Sequence, residues 1–344
     1  MIKHKLRKVP RQSPGSVQAH EDYFPPKNPA DQPSINYLVD FNDPQQPVAF
    51  PGCFPWLPAG FNIFTDGCQM FPDREGVCRG NREIHKREGI ERSVTEFFPQ
   101  QAFGGICGKR VVILGSGPSL GTQRVELEKA RADGAVVIAV NGAIQAVPNA
   151  DIFFCLERCA IPEWWAAVNP AVTPVWTSPS ARYEIATHWP KDRRFYFLHH
   201  WDVFDGWKDG PMEALMKCPA TLSCMVSTIN CMQLVAWCQP KDICMLGQDF
   251  AGVAAWNQAT NSWGPGPYYW DGSFPKTLTG EVATLVEGRG GPCATSLRLV
   301  SMGEALELAG ELITLNAEIP VYNVSRFGIL DLPSCPDWDE KYRA

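Results

Sequence analysis

RVVILGSGPSL, residues 110–120, is a short apolar run that closes in a glycine-rich turn. Val111, Val112, Ile113 and Leu114 form an unbroken aliphatic stretch, the pattern of a strand buried on both faces of a parallel sheet. Gly115-Ser116-Gly117-Pro118-Ser119 breaks the run, and residues 123–131 then carry helix-forming Val, Glu, Leu, Lys and Ala. The order strand, glycine turn, helix is the layout of a nucleotide-binding crossover. The glycines let backbone N–H groups approach a phosphate, Ser116 and Ser119 supply further donors, and a helix N-terminus favours negative charge. The third glycine of GxGxxG and the lysine of a P-loop are missing, so neither an NAD site nor a Walker ATP site follows. A tight strand-to-helix turn that holds no ligand fits the same residues.

Outward from this stretch, strands and helices alternate from Gly108 onward, the mark of an α/β fold with a parallel sheet. Strands are predicted at 135–140, 151–156, 173–177, 194–198, 242–246 and 319–323, and helices at 222–237 and 301–316. The expected fold is a Rossmann-like, mostly parallel sheet with helices on both faces. It occupies residues 108–330, and residues 250–299 form a Gly/Pro/Trp-rich, lid-like loop insertion. Residues 1–107 read as a Pro-rich N-terminal extension, since its prolines exclude long helices and interior strands. A helical segment is predicted there between Arg79 and Phe98, and residues 331–344 read as a solvated tail.

Composition narrows the function classes. The chain has 344 residues and a net charge of −6, which argues against a broadly cationic nucleic-acid-binding surface. No run of 18 apolar residues is present, so no membrane span is expected. The basic start, MIKHKLRKVPRQ, is not followed by an apolar segment of the secretory kind. Thirteen cysteines, odd in number and scattered through apolar stretches, suit reduced thiols in a cytoplasmic protein.

Polar residues collect where the predicted strands end: Ser116, Asn141, Glu157, His199, His200, Asp249, Asn323 and Ser325. Ligands of open α/β sheets bind outside the carboxyl ends of the strands, so these groups are expected to converge on one crevice. Asp249 is the first candidate for a general base, because partial burial beside the crevice raises a carboxylate pKa towards neutrality. His199 and His200 follow, and as adjacent residues of a strand they point to opposite sides. Asp271, in the insertion, is third. Glu157 and Asp249 offer the oxygen ligands that suit Mg²⁺, and Arg158, Arg289 and Arg326 are candidates to neutralise a leaving group.

Together, VVILGSGPSL, the AVNGAIQ strand end, NADIFFCLER, STINCMQLVAWCQPKDICMLGQDF and IPVYNVSRFGIL resemble a Rossmann-like superfamily of nucleotide-using transferases. It includes the MptE-like 6-hydroxymethylpterin diphosphokinases, the motility accessory factor proteins linked to flagellin glycosylation, and bacterial sialyltransferases that use CMP-sugars. The resemblance covers roughly residues 108–330 in that order. It implies that Gly115, Ser116, Gly117, Pro118 and Ser119 cradle the donor phosphate, that Asn141 lies near the nucleotide, and that Asn323 and Ser325 close its pocket. Thr221 to Ser227 match the small polar residues that begin the later helix. The sialyltransferases place a catalytic histidine between the strand ending at 246 and the final helix. Here residues 250–299 contain no histidine, and sialyl transfer is not implied. The expected activity is transfer of a sugar from a nucleotide-activated donor, a CMP- or NDP-sugar, to a hydroxyl. An ATP-dependent diphosphokinase with Mg²⁺ at Glu157 and Asp249, and a non-catalytic nucleotide-binding or assembly protein, are the alternatives. A protein, a glycan, a small metabolite and a modified base in DNA all remain open as acceptor.

Overall fold

The structure, a computed structural model, describes residues 36–39, 47–50, 105–157, 160, 162–178, 181, 183–199, 220–221, 226–258, 262–265, 269–271, 284–295 and 297–343. The helical segment expected between Arg79 and Phe98 lies outside these residues, as do Arg158 and His200. In the N-terminal region β1 (Asn36–Val39) and β2 (Pro47–Phe50) pair antiparallel with one another.

Strand β3 (Arg110–Leu114) lies within a seven-stranded sheet with β4 (Val136–Val140), β5 (Ile152–Cys155), β6 (Val175–Thr177) and β7 (Arg194–Tyr196) to one side. A short two-stranded parallel sheet, β8 (Leu198–His199) with β9 (Ala220–Thr221), follows in the chain. Strands β10 (Asp242–Leu246) and, later, β15 (Val321–Asn323) add on the other side of β3, giving the order β15-β10-β3-β4-β5-β6-β7. All six pairings are parallel. The fold is therefore α/β. The direction of winding reverses between β3 and β10, which makes their carboxyl ends the topological switch point.

The period of two in a strand divides the core cleanly. Val111, Ile113, Ile138, Val140, Phe154, Ile243 and Met245 face one layer, which is covered by α4 (Ser227–Trp237) and α5 (Leu297–Ala317). Val112, Leu114, Val137, Ala139, Phe153, Cys244 and Leu246 face the other. That second layer holds α2 (Arg124–Ala132), α3 (Tyr183–His188) and the C-terminal α6 (Trp338–Tyr342). Between β3 and α2 lies a single short helix, α1 (Pro118–Thr122). Helix α4 is buried from Ser227 to Ala236, so it carries no polar face, and its Asn230 and Gln233 are enclosed.

Four expectations are corrected. The insertion is not a loop: its described residues form a four-stranded antiparallel sheet, β12-β11-β14-β13, from β11 (Gly252–Asn257), β12 (Ser262–Pro265), β13 (Thr284–Gly288) and β14 (Gly291–Thr295). The final helix begins at Leu297 rather than Ser301, and α4 begins at Ser227 rather than Leu222. Residues 331–343 are not a solvated tail. Trp338 is 2% exposed, its indole N–H donates to Glu126 at 3.2 Å, and the Tyr342 hydroxyl donates to Asp133 at 2.7 Å. Among the described residues no helix is long and apolar enough to cross a membrane.

Candidate functional site

The glycine turn meets the segment Gly247-Gln248-Asp249 at the switch point, and that meeting explains its glycines. The Gly115 N–H donates to the Leu246 carbonyl at 2.8 Å and the Gly117 N–H to the Gly247 carbonyl at 2.9 Å. The Ser119 N–H donates to Asp249 Oδ2 at 2.7 Å, and the Leu120 N–H to the Gly117 carbonyl at 3.1 Å. A β-carbon at position 117 would stand 2.5 Å from Asp249 Oδ2 and 2.7 Å from the Gly247 carbonyl oxygen. Gly247 itself sits at φ +74°, the left-handed region that glycine enters without strain. Most of the turn's amides are thus used inside the protein. The expectation that they jointly cradle a phosphate is corrected to a cradle for the β10 loop.

Asp249 is correspondingly an anchor. It is 1% exposed, and its Oδ1 is buried without a hydrogen-bond partner. Burial pushes its carboxyl up to about 7, with the Ser119 N–H and the Ser119 and Ser325 hydroxyls pulling the other way. The folded protein therefore holds this proton more tightly than the unfolded chain, whose carboxyl titrates near its ordinary value of about 3.9. The associated stability is complete below about pH 4 and is lost as pH rises towards 7. Denaturant unfolding at pH 5 and pH 8 is expected to show a loss of a few kcal/mol in the wild type. In Asp249→Asn, which keeps an oxygen for the Ser119 N–H, that loss should shrink, and an equal loss in both proteins would remove Asp249 as its source.

Asn323 and Ser325 also serve the fold. The Asn323 amide donates to the Leu330 carbonyl at 2.9 Å and its oxygen accepts the Ser325 N–H at 2.9 Å, while Ser325 Oγ accepts the Gly247 N–H at 2.9 Å. Both are 1% exposed, so they close the β10 loop from behind rather than line a pocket. Glu157 and Asp249 follow β5 and β10, three strand spacings or about 14 Å apart, so the expected shared Mg²⁺ site is not assembled at the strand ends. Among the described residues no group of three His, Cys, Asp or Glu is placed to hold a metal ion. Arg326 pairs with Glu126 at 2.5 Å, and Arg289 donates to Ser334 Oγ at 2.9 Å and to the Leu332 carbonyl at 3.2 Å. His199 lies in β8, off the main sheet.

What remains open towards solvent lies over the ends of β3 and β4. Ser116, Asn141, Gly142 and Trp164 are all half-buried. Asn141 adopts φ +51°, a left-handed conformation that asparagine tolerates and that recurs at functional sites. Its amide nitrogen donates to Ser227 Oγ at 3.1 Å, tying it to the start of α4, and its Oδ1 has no partner. The insertion reaches this place through Trp270, whose backbone N–H donates to the Ser116 carbonyl at 2.9 Å and whose ring lies 4.9 Å from the Arg124 guanidinium. Asp271, exposed and next in sequence, is thereby brought to the turn. The structure joins Ser116, Asn141 and the Asp271 segment at the ends of β3 and β4, with Glu157 following the neighbouring β5, and it buries Asn323 behind the β10 loop. Trp164 escaped the reading of the sequence. Its signal is the tandem Trp164-Trp165 after Pro162: consecutive residues of a helical turn cannot face one way, and Trp165 is in the core.

A search among curated proteins finds no match. Among solved structures, the MAf glycosyltransferase from Magnetospirillum magneticum AMB-1 is similar at a TM-score of 0.45 and 16% sequence identity, over 74% of this chain and 40% of that one. This chain therefore spans well under half the length of that protein. Residues 85–253 match the family model of 6-hydroxymethylpterin diphosphokinase MptE-like proteins. Over that stretch, just under half of the chain and spanning strands β3 to β10, the chain is similar to the MptE-like proteins.

Proposed function

We propose that the protein is a transferase that takes a sugar from a nucleotide-activated donor bound over the carboxyl ends of β3 and β4. The observation that carries this reading is Asn141, a strained residue at the end of β4 with an unpartnered buried acceptor. A sugar hydroxyl donates to such an oxygen, and a residue at the end of the strand beside the glycine turn is where dinucleotide folds engage a ribose. The groups that face the donor over β3 and β4, namely Ser116, Asn141, Trp164 and Ser227, are neutral, and the charged groups beside them, Asp271 and Arg124, come with the Trp270 segment at the edge of the turn. Neutral donors suit a leaving group with one phosphate better than a triphosphate, which calls for cations or metal. This favours sugar transfer over the diphosphokinase reaction.

In this reading Asp271 is the general base that takes the acceptor's proton, because it is exposed beside the turn while Asp249 is enclosed. Asp271→Asn is expected to lower kcat by about 10²–10⁴-fold with donor affinity unchanged. Near-wild-type turnover would move the role to His199 or His200. The donor is tested by melting curves with ATP, CMP, UDP and GDP, each with and without Mg²⁺. A ligand at a hundred times its Kd raises the melting temperature of a chain this size by about 4 °C. A shift with CMP or a nucleoside diphosphate supports sugar transfer, a Mg²⁺-dependent shift with ATP alone supports the diphosphokinase, and no shift overturns the nucleotide-donor reading.

A further inference from the structure

We infer that the donor's phosphate is held by Ser116 and the indole N–H of Trp164 across Gly142, which makes Trp164 a positioning residue of the donor site. The inference rests on the nucleotide-donor reading and departs from the idea of a cradle built from the glycine turn. The amides of Gly115, Gly117, Ser119 and Leu120 all donate within the protein, and Pro118 has none to give. Within the turn this leaves Ser116, whose N–H and hydroxyl meet no partner among the described residues.

A second donor stands opposite. Trp164 ends the short helical turn Pro162–Trp164, which is fastened to the 141–145 turn by Gln145 Nε2 donating to the Glu163 carbonyl at 3.2 Å. Trp165 is 2% exposed and fills the core, so its position fixes the backbone from which Trp164 projects. The Trp164 indole N–H likewise meets no partner among the described residues. Both donors converge on Gly142. A β-carbon there would lie 3.2 Å from Ser116 Oγ, 3.6 Å from Trp164 Cε2 and 3.7 Å from Trp164 Nε1. The hydroxyl and the indole N–H are therefore separated by no more than a phosphate group and its two flanking hydrogen bonds of about 2.9 Å span. Glycine at 142 keeps that space open, and any side chain there would stand between the two donors. Indole nitrogen donates and never accepts, so it takes an unprotonated oxygen such as a phosphoryl oxygen.

Calorimetric titration of the full chain with ATP, CMP, UDP and GDP, each beside its nucleoside, separates the phosphate from the base. Trp164→Phe keeps a ring and removes only the N–H. It is expected to weaken the nucleotide that binds by about tenfold or more, the loss of a hydrogen bond to a charged oxygen, and to leave the nucleoside unchanged. Ser116→Ala and Gly142→Ala should lower the nucleotide-to-nucleoside preference in the same direction, and they carry the test if Trp164→Phe melts early. An unchanged preference in the folded variants overturns the inference while the nucleotide-donor reading stands. Equal weakening of nucleotide and nucleoside by Trp164→Phe also overturns it, since the ring would then be stacking on the base. If the wild type binds none of the four nucleotides, the donor reading itself fails and takes the phosphate site with it.

Discussion

Replacing Arg110 by alanine is expected to destabilise the fold by about 3–5 kcal/mol, because it strands a buried carboxylate. Arg110 stands at the start of β3, beside Asp242 at the start of β10, in parallel register. Its Nε and Nη2 donate to the two oxygens of Asp242, each at 2.8 Å, and Nη2 also donates to Asp337 at 2.7 Å. Arg110 is 8% and Asp242 3% exposed. The hydrogen bonds to Asp242 raise the guanidinium pKa further above its already high value, so Arg110 keeps its charge. The guanidinium also lies 6.0 Å from the Trp338 ring and 5.9 Å from the Tyr342 ring, so the same side chain holds α6 against the sheet. Lysine is a poor substitute, since one ammonium cannot serve both Asp242 oxygens and Asp337 with the geometry of a planar fork. Denaturant unfolding of Arg110→Ala and Arg110→Lys checks this, with both midpoints expected below the wild type and alanine the lower. An unchanged midpoint in Arg110→Ala would mean that Asp242 finds other compensation. The cluster sits at the amino ends of the strands, so Arg110→Lys, where folded, should bind nucleotide as the wild type does.

That cluster also marks where the sequence was legible and where it was not. The strands at 110–114, 136–140, 152–155 and 242–246 declare themselves because, past Arg110 and Asp242 at their amino ends, each is an apolar run with no polar interruption, as a doubly covered parallel sheet requires. The tail misleads because Asp337, Asp339, Glu340 and Lys341 read as solvated, while the decisive pair is Trp338 and Tyr342 at a spacing of four. The strands of the insertion are hidden for a different reason. Their glycine, proline and tryptophan give no alternation, and Gly252 and Val253 pair with Ala294 and Cys293 some forty residues away, a contact that no local pattern announces. Ser116 and Asn141 were legible as polar groups at the ends of β3 and β4, and the structure places both there, half-buried. Asp249 was misassigned for the reason that made it attractive: a carboxylate beside a glycine turn can meet a ligand or the turn itself, and only the packing of β3 against β10 decides.

Gly117→Ala separates those two outcomes. A glycine kept for access to a phosphate can gain a methyl group with lost affinity and an intact fold. A glycine kept because two loops touch cannot. Gly117 has φ −71°, which any residue adopts, so its replacement carries no backbone strain and the whole cost is steric. The new methyl would enter 2.5 Å from Asp249 Oδ2 and 2.7 Å from the Gly247 carbonyl; the second is backbone, and the first is the tip of a short, buried side chain held by the Ser119 N–H. Asp249 would have to withdraw from the Ser119 N–H, adding a lost buried hydrogen bond to the overpacking, together about 3–5 kcal/mol. Gly134 is the control. It has φ +91° and nothing within 4 Å of a β-carbon, so Gly134→Ala carries backbone strain alone, about 1–2 kcal/mol. Denaturant unfolding should therefore rank Gly117→Ala well below Gly134→Ala although its backbone is the more ordinary. The double variant Gly117→Ala/Asp249→Ala should lose less than the two single variants combined, because the second change removes one of the two groups the first collides with. The opposite result, a Gly117→Ala protein of wild-type stability that no longer binds nucleotide, would return the glycine turn to the role of phosphate cradle and leave Trp164 without one.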